Sequence, residues 1–253
     1  MMSVLSGPAL GRRRCLQAAL SAAVVWPAAA RAELEIRRLG IFSLLGDSVR
    51  VVARETQEVL FKDVRMDDTA FVTARAAVLA SYPQAQVSLH LPRVQMDVAD
   101  QVALGAAMGH RGELPDWIVE TAREASLSHL LLITSNTGAM EFRTGMTQVV
   151  GSNLVTGVGF YVSADHRVTN TRTGAVSSGY LAPFVQLRLT LIDAASRTVL
   201  QSTNLSEGFI VGPPEAEAPD PWRFLTREQK AQALQRLLKD NIARGTATVL
   251  KPS

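Results

Sequence analysis

The stretch Val185-Gln186-Leu187-Arg188-Leu189-Thr190-Leu191-Ile192-Asp193-Ala194-Ala195-Ser196-Arg197-Thr198-Val199-Leu200 carries the pattern that decides the fold of this 253-residue chain. Val185, Leu187, Leu189 and Leu191 alternate with Gln186, Arg188 and Thr190. Successive strand residues point to opposite faces, so the alternation predicts a half-buried strand over 185–192. Asp193-Ala194-Ala195-Ser196 reads as a turn, because Asp and Ser bond their own backbone readily. The chain then returns over 198–203 as a hairpin with one wet face.

A sheet with a dry face needs a covering layer, and the chain supplies one further on. Thr226 and Gln229 have the spacing of a capping box. Ala231, Leu234, Leu238, Ile242 and Val249 follow one helical stripe, with Arg236, Lys239, Asp240 and Arg244 off it. The helix should dock on the sheet, since its polar face is too mixed in charge for a membrane-surface helix. Residues 212–221, with four prolines and three acids, read as a surface loop.

Toward the N-terminus, Leu130-Leu131-Leu132-Ile133 is a short apolar run ending at Ser135-Asn136, as expected of a strand buried on both faces. Two helices precede it, over 98–108 and 114–125. Pro115 suits the first turn of the second, and Ile118, Ala122 and Ala125 form its apolar face. The Gly105-x-x-x-Gly109 spacing reads as tight packing. A helix capped by Asp67 or Asp68 should run to Ser81, with Phe71, Ala74, Val78 and Leu79 inward and Pro83 beyond its end. A strand over 87–91 follows. Residues 36–54 read as a hairpin turning at Leu44-Leu45-Gly46-Asp47. The segment 136–183 holds seven of the seventeen glycines. It is too long for an ordinary loop and is expected to form irregular hairpins, 158–162 being its best strand. The expected fold is α/β, with α+β as the alternative: a mixed twisted sheet, helices packed on it, a Gly-rich hairpin insertion at 136–183 and a C-terminal amphipathic helix.

The first 32 residues read as a cleaved export signal, leaving 33–253 as one domain. Arg12, Arg13 and Arg14 precede an apolar run over 16–26, Pro27 breaks it, and Ala30-Arg31-Ala32 places small residues where a signal peptidase reads, so cleavage is expected between Ala32 and Glu33. The apolar run is far shorter than a membrane-spanning helix, so no stable anchor is expected after cleavage. Arg12 to Gln17 resembles the twin-arginine export motif, and a Sec signal with a basic start fits equally well. The basic appearance of the precursor (formal charge +3) comes from this segment: without its four arginines, 22 basic face 23 acidic side chains, a charge of −1. No basic patch suggests nucleic acid as a partner. Cys15 is the single cysteine, so the processed chain has no disulfide or thiolate chemistry.

The order of elements, and above all the pair over 185–200 with Leu191-Ile192-Asp193 at its turn followed by the helix from Thr226, resembles the small α/β domain of periplasmic assembly factors. These include the curli-secretion lipoprotein, the outer-membrane activator of penicillin-binding proteins and the N-terminal domain of the Tol translocation protein. The resemblance covers most of 34–250 and departs from those lipoproteins in lacking their acylated cysteine. It implies a non-catalytic scaffold that binds a partner, and carries over no functional residue.

Catalytic patterns are sparse. Gly46-Asp47-Ser48 resembles the nucleophile block of GDSL-type esterases, in which Ser48 would attack an ester and a distant histidine would take its proton. The Gly-x-Asn-Asp block and the C-terminal Asp-x-x-His of that family are missing, and the last histidine is His166; a turn explains the same three residues. His90, His110, His129 and His166 are scattered without the spacing of a metal site, and no metal or cofactor is expected. Asp165-His166, close to Phe160 and Tyr161, is the one acid–base neighbour pair, and these four residues are the candidate partner- or ligand-binding positions. The function expected is that of an exported periplasmic protein binding an envelope partner or ligand, with a secreted ester hydrolase using Ser48 as the alternative. The sequence leaves the oligomeric state open.

Overall fold

Why a run such as Leu39-Gly40-Ile41-Phe42 becomes a central strand follows from what lies on both sides of it. In a computed structural model, which describes residues 35–251 except 47, 54–55, 61–63, 93–95, 111–113, 145–147, 170–173 and 214–219, β1 (Arg38–Ser43) is buried on both faces beyond its first residue. It pairs in parallel with two other strands. The following strands are β2 (Ser48–Val52) and β3 (Thr56–Leu60), joined antiparallel, then helix α1 (Met66–Ser81) and β4 (Gln86–His90). Helices α2 (Val98–His110) and α3 (Asp116–Glu124) lead to β5 (His129–Ser135). After β6 (Thr137–Thr144) come the long strands β7 (Gln148–Thr169) and β8 (Val176–Asp193), then β9 (Val199–Gly208) and helix α4 (Arg227–Val249).

Residues Leu34–Ser253 form one compact unit. The strand order is β3-β2-β7-β8-β5-β1-β4, with β9 paired to β8 and β6 to β7. One face of the sheet packs on α1 and α4: Leu39, Ile41, Leu131, Ile133, Leu187, Leu189 and Leu191 meet Ala70, Ala74, Val78, Leu234, Leu238 and Ile242. On the other face, Phe42, Leu130, Leu132 and Ile192 meet Leu104, Met108, Ile118 and Ala122 of α2 and α3. The mixed α/β sheet clad by helices is the architecture expected from the sequence.

Several local expectations hold. The Thr226–Gln229 capping box is complete, the five stripe residues of α4 are all buried, and β5 is buried along its whole length. A Cβ on Gly105 would lie 2.9 Å from Thr134 Oγ1, so α2 sits tightly on β5.

Others are corrected. The 36–54 hairpin does not form: β1 pairs with β4 and β5, and β2 pairs with β3 and β7. A strand buried on both faces belongs in the parallel centre of the sheet, and Leu44 continues that pairing by donating to Ile133 O at 3.1 Å. Neither Asp67 nor Asp68 caps α1. Arg65 holds the N-cap position in the left-handed region with φ 45°, and the buried stripe is Met66, Ala70, Ala74 and Val78. Strand β8 is buried on both faces over 179–187, and beyond Arg188, which is half-buried, again over 189–192, with Gln186 and Thr190 each 2% exposed. The 136–183 hairpins form with the expected irregularities, register shifts between Phe142 and Arg143 and between Ser163 and Arg167, but their strands are longer than 158–162 and supply β7 and nearly half of β8 to the sheet.

Candidate functional site

The candidate site grows from a junction of three strands. Asn136 links β5 to β6, donating from its backbone to Gln186 O (2.9 Å) on β8 and accepting from Gly157 N (3.0 Å) on β7. Gly157 has φ +71°, a conformation that favours glycine. There β7 turns: its first part pairs with β6, and its second part with β8. Gln186 fills the junction, its amide donating to Ser206 Oγ at 2.7 Å. A Cβ on Gly138 would stand only 3.0 Å from Gln186 Oε1, so that glycine lets the backbone lie on the buried amide.

The result is a hairpin over 137–156 laid on the second face of the sheet. Met140, Phe142 and Val155 close on Tyr180, Ala182 and Phe184 in a separate apolar cluster. Phe142 stacks on Tyr161 with centroids 5.0 Å apart, and Tyr180 lies 6.0 Å from both rings. Burial, and secondarily the neighbouring Tyr161, pushes the Tyr180 hydroxyl up to about 12, with the Ser163 side chain opposing, so this phenol stays protonated at neutral pH. Above this support, Leu154 is 72% exposed.

The four sequence-predicted binding residues do not form one constellation. Phe160 and Tyr161 are neighbours on a strand and face opposite ways. Phe160 is fully buried and meets Trp222 edge-on at 5.5 Å, so it serves the core. Trp222 in turn lies 4.2 Å beneath the Lys230 ammonium, which donates to Leu225 O at 2.8 Å. Burial lowers the Lys230 pKa, and Asp220 opposes that. Tyr161 sits half-buried in the aromatic stack. Asp165 and His166 fall where the β7–β8 register shifts between Ser163 and Arg167; their side chains lie outside the described residues.

Ser48 opens β2 opposite Leu60. The residues before it are committed: the Asp67 carboxylate accepts from Ser43 Oγ (2.5 Å), Leu45 N (3.1 Å) and Gly46 N (3.1 Å), pinning the crossover loop to the start of α1. Ser48 stands two residues before Arg50, the register partner of Gly159, and so beside Gly157, whose N–H bonds to Asn136 O at the end of β5. His129, and Leu132 level with His90, lie seven and four residues back along β5 from Asn136, roughly 23 and 13 Å, beyond a proton transfer from Ser48. His90 is held by Ser88 Oγ (2.8 Å) and stacks on Phe42. The side chains of His110 and His166 are outside the described residues, as is the Ala32–Glu33 bond. Among the described residues no three His, Cys, Asp or Glu side chains are grouped to hold a metal. No helix among them is long and apolar enough to cross a membrane.

One titratable cluster was not anticipated. His129, 7% exposed, is the register partner of Asp193, and its Nδ1 lies 3.0 Å from Ser128 Oγ. That hydroxyl donates its proton to Arg38 O (2.9 Å), so Nδ1 of the neutral imidazole carries the hydrogen and donates to Ser128. The pairing joins residues 64 apart in sequence, which no local pattern reveals. Burial lowers the His129 pKa, with Asp193 opposing. Hydrogen bonds from Ser196, backbone first and then side chain, lower that of Asp193. For both groups the unfolded chain binds more protons as pH falls, so the stability they contribute is present at neutral pH and lost toward acid, His129 first, as pH drops below its ordinary value of 6.5. Thermal unfolding from pH 7.5 to 5 should show a falling Tm, and His129→Gln should flatten that fall. An unchanged slope in the variant would remove His129 as its source.

No family model matches the chain, and no curated protein matches it. Among solved structures it is similar to the PelC dodecamer from Paraburkholderia phytofirmans, at 14% identity over 90% of this chain and 94% of that one, with TM-score 0.34. A DUF330 protein from Xanthomonas campestris shares 10% identity over 88% and 89%, with TM-score 0.35. The LpoB C-terminal domain from Salmonella enterica shares 12% over 70% and 86%, with TM-score 0.25. Likeness at these scores carries no argument about what this chain does.

Proposed function

We propose that the chain is an exported protein that works in the periplasm without catalysis, holding an envelope protein partner through the outer surface of the 136–183 hairpins. The observation that carries this reading is the hairpin over 137–156. Its inner side rests on the ring cluster of buried Phe142 and Tyr180 with half-buried Tyr161, and Leu154 is left 72% exposed. An apolar side chain on a rigid, two-layer support is a suitable anchor, because little ordering entropy is lost when a partner covers it. The export-type N-terminus supports the periplasmic part of this reading.

Deleting 140–178 would remove most of β6, all of β7 and the first three residues of β8, so point changes are the appropriate test. A photo-crosslinking residue replacing Leu154 should give an adduct with one envelope protein. The same residue replacing Val72, which is 64% exposed on α1, should not. Leu154→Asp should abolish co-purification of that protein while changing stability by no more than about 0.5 kcal/mol. Equal adducts from both positions, or undiminished co-purification of Leu154→Asp, would contradict the proposal.

A further inference from the structure

Four strands border the paired sheet regions among the described residues, each hydrogen-bonded on one side: β3, β4, β6 and β9. Natural edges are guarded against pairing with another chain by charge, proline or bulges. Glu58 stands on β3, Glu141 and Arg143 on β6, and Glu207 on β9. Strand β4 is Gln86-Val87-Ser88-Leu89-His90, with no acidic, Lys or Arg residue and no proline.

Its outward groups can be assigned. Gln86 N donates to Arg37 O at 2.9 Å, so the backbone groups of Gln86 face β1. Residues alternate along a strand, so Ser88 and His90 also point inward, and the N–H and C=O of Val87, Leu89 and Leu91 point away from the sheet. Val87 to His90 are each only half-buried although the sheet has layers on both faces, and Leu91 next to them is 49% exposed.

We propose that β4 is the interface of a homodimer, pairing antiparallel with β4 of a second copy about a two-fold axis at Ser88. The strand is self-complementary in this register: Val87 lies opposite the second copy's Leu89, Gln86 opposite His90, and Ala85 opposite Leu91. Val87 and Leu89 then form hydrogen-bonded pairs that use every outward group they own, and Ser88 faces its own copy in a non-hydrogen-bonded pair. Val87, Leu89 and Leu91 share one face, so the exposed leucine gains an apolar neighbour. A two-fold centred on Val87 or on Leu89 would pair only three of the five strand residues with one another. With no formal charge at any of the five positions at neutral pH, self-pairing meets no like-charge repulsion. The interface is isologous and closed, so it yields dimers and no longer chains. It does not depend on the hairpin surface proposed above.

The register has a covalent readout. Cα atoms of a non-hydrogen-bonded antiparallel pair stand about 4.5 Å apart, within the range a disulfide spans. In the full chain carrying Cys15→Ser, Ser88→Cys is the single cysteine and should oxidise to a disulfide-linked dimer at micromolar concentration. Gln86→Cys should not, since two copies of position 86 lie roughly 14 Å apart in this register. Sedimentation should show a concentration-dependent dimer, weakened roughly tenfold or more by Leu91→Asp or by Leu89→Pro, which removes an outward donor. Circular dichroism of each variant should retain the native spectrum. A chain that stays monomeric throughout, a larger assembly in which Ser88→Cys does not cross-link, or equal cross-linking of both cysteine variants would overturn the proposal.

Discussion

Gly159→Ala should cost the protein about 3 kcal/mol or more in chemical denaturation. A Cβ at this position would stand 2.0 Å from Arg50 O, and real Cβ atoms essentially never come within 3.0 Å of another heavy atom. The obstacle is a backbone carbonyl in the β2–β7 pairing, where Arg50 is the register partner of Gly159. No rotamer change relieves it, so the β2–β3 hairpin must move off the sheet and expose Val49, which is 1% exposed. Overpacking of this kind falls in the severe tail of single substitutions. Gly174→Ala is the matched control: its Cβ would meet nothing within 4 Å, and its φ of +73° leaves only the left-handed penalty, about 1 kcal/mol. Equal losses in the two variants would mean that β2 does not lie against β7.

Asp67→Ala should be the next most damaging change, at about 3 kcal/mol. One carboxylate there gathers the Ser43 hydroxyl and the amides of Leu45 and Gly46. Hydrogen bonds to a charged group contribute about 1.5–3 kcal/mol each, not additively. Ser43 and Leu45 are buried, at 0% and 4% exposure, so their donors cannot turn to water when the acceptor is removed. Asp67→Asn keeps one acceptor oxygen and should lose about half as much. A loss under about 0.5 kcal/mol in Asp67→Ala would show that the loop after β1 is held by something else.

These two sites show which parts of the structure were legible from sequence. The alternation over 185–191 and the stripe from Ala231 to Val249 gave one sheet face and the helix covering it, because each pattern is set by a period within one element. Pairing partners were not legible. Leu44-Leu45-Gly46-Asp47 has turn chemistry, and Gly46 does adopt φ +66°. The turn nevertheless launches a crossover, since β1 gains more by burying both faces between β4 and β5. The first turn of α1 misled for a related reason: Asp67 is a good cap type, but its carboxylate is used by a loop more than twenty residues earlier in the chain.

The form of the 136–183 segment was less legible. Seven glycines made the hairpins expected over 136–183 look irregular. Gly138, Gly157 and Gly159 instead serve close approach or a positive φ within regular strands. The polar face of β8 was expected to be wet, yet it is buried, since the 137–156 hairpin lies on Gln186. Phe160 and Tyr161 were named for their closeness to Asp165-His166, with Phe160 packing inward as the alternative, and as strand neighbours they do face opposite ways, Phe160 into the core.

The partner-binding account stands on the chain being outside the cytoplasm. Mass spectrometry of the protein recovered from fractionated cells tests this most directly. The account expects a periplasmic species whose first residue is Glu33. An intact chain in the cytosolic fraction, still beginning at Met1 or Met2, would contradict it.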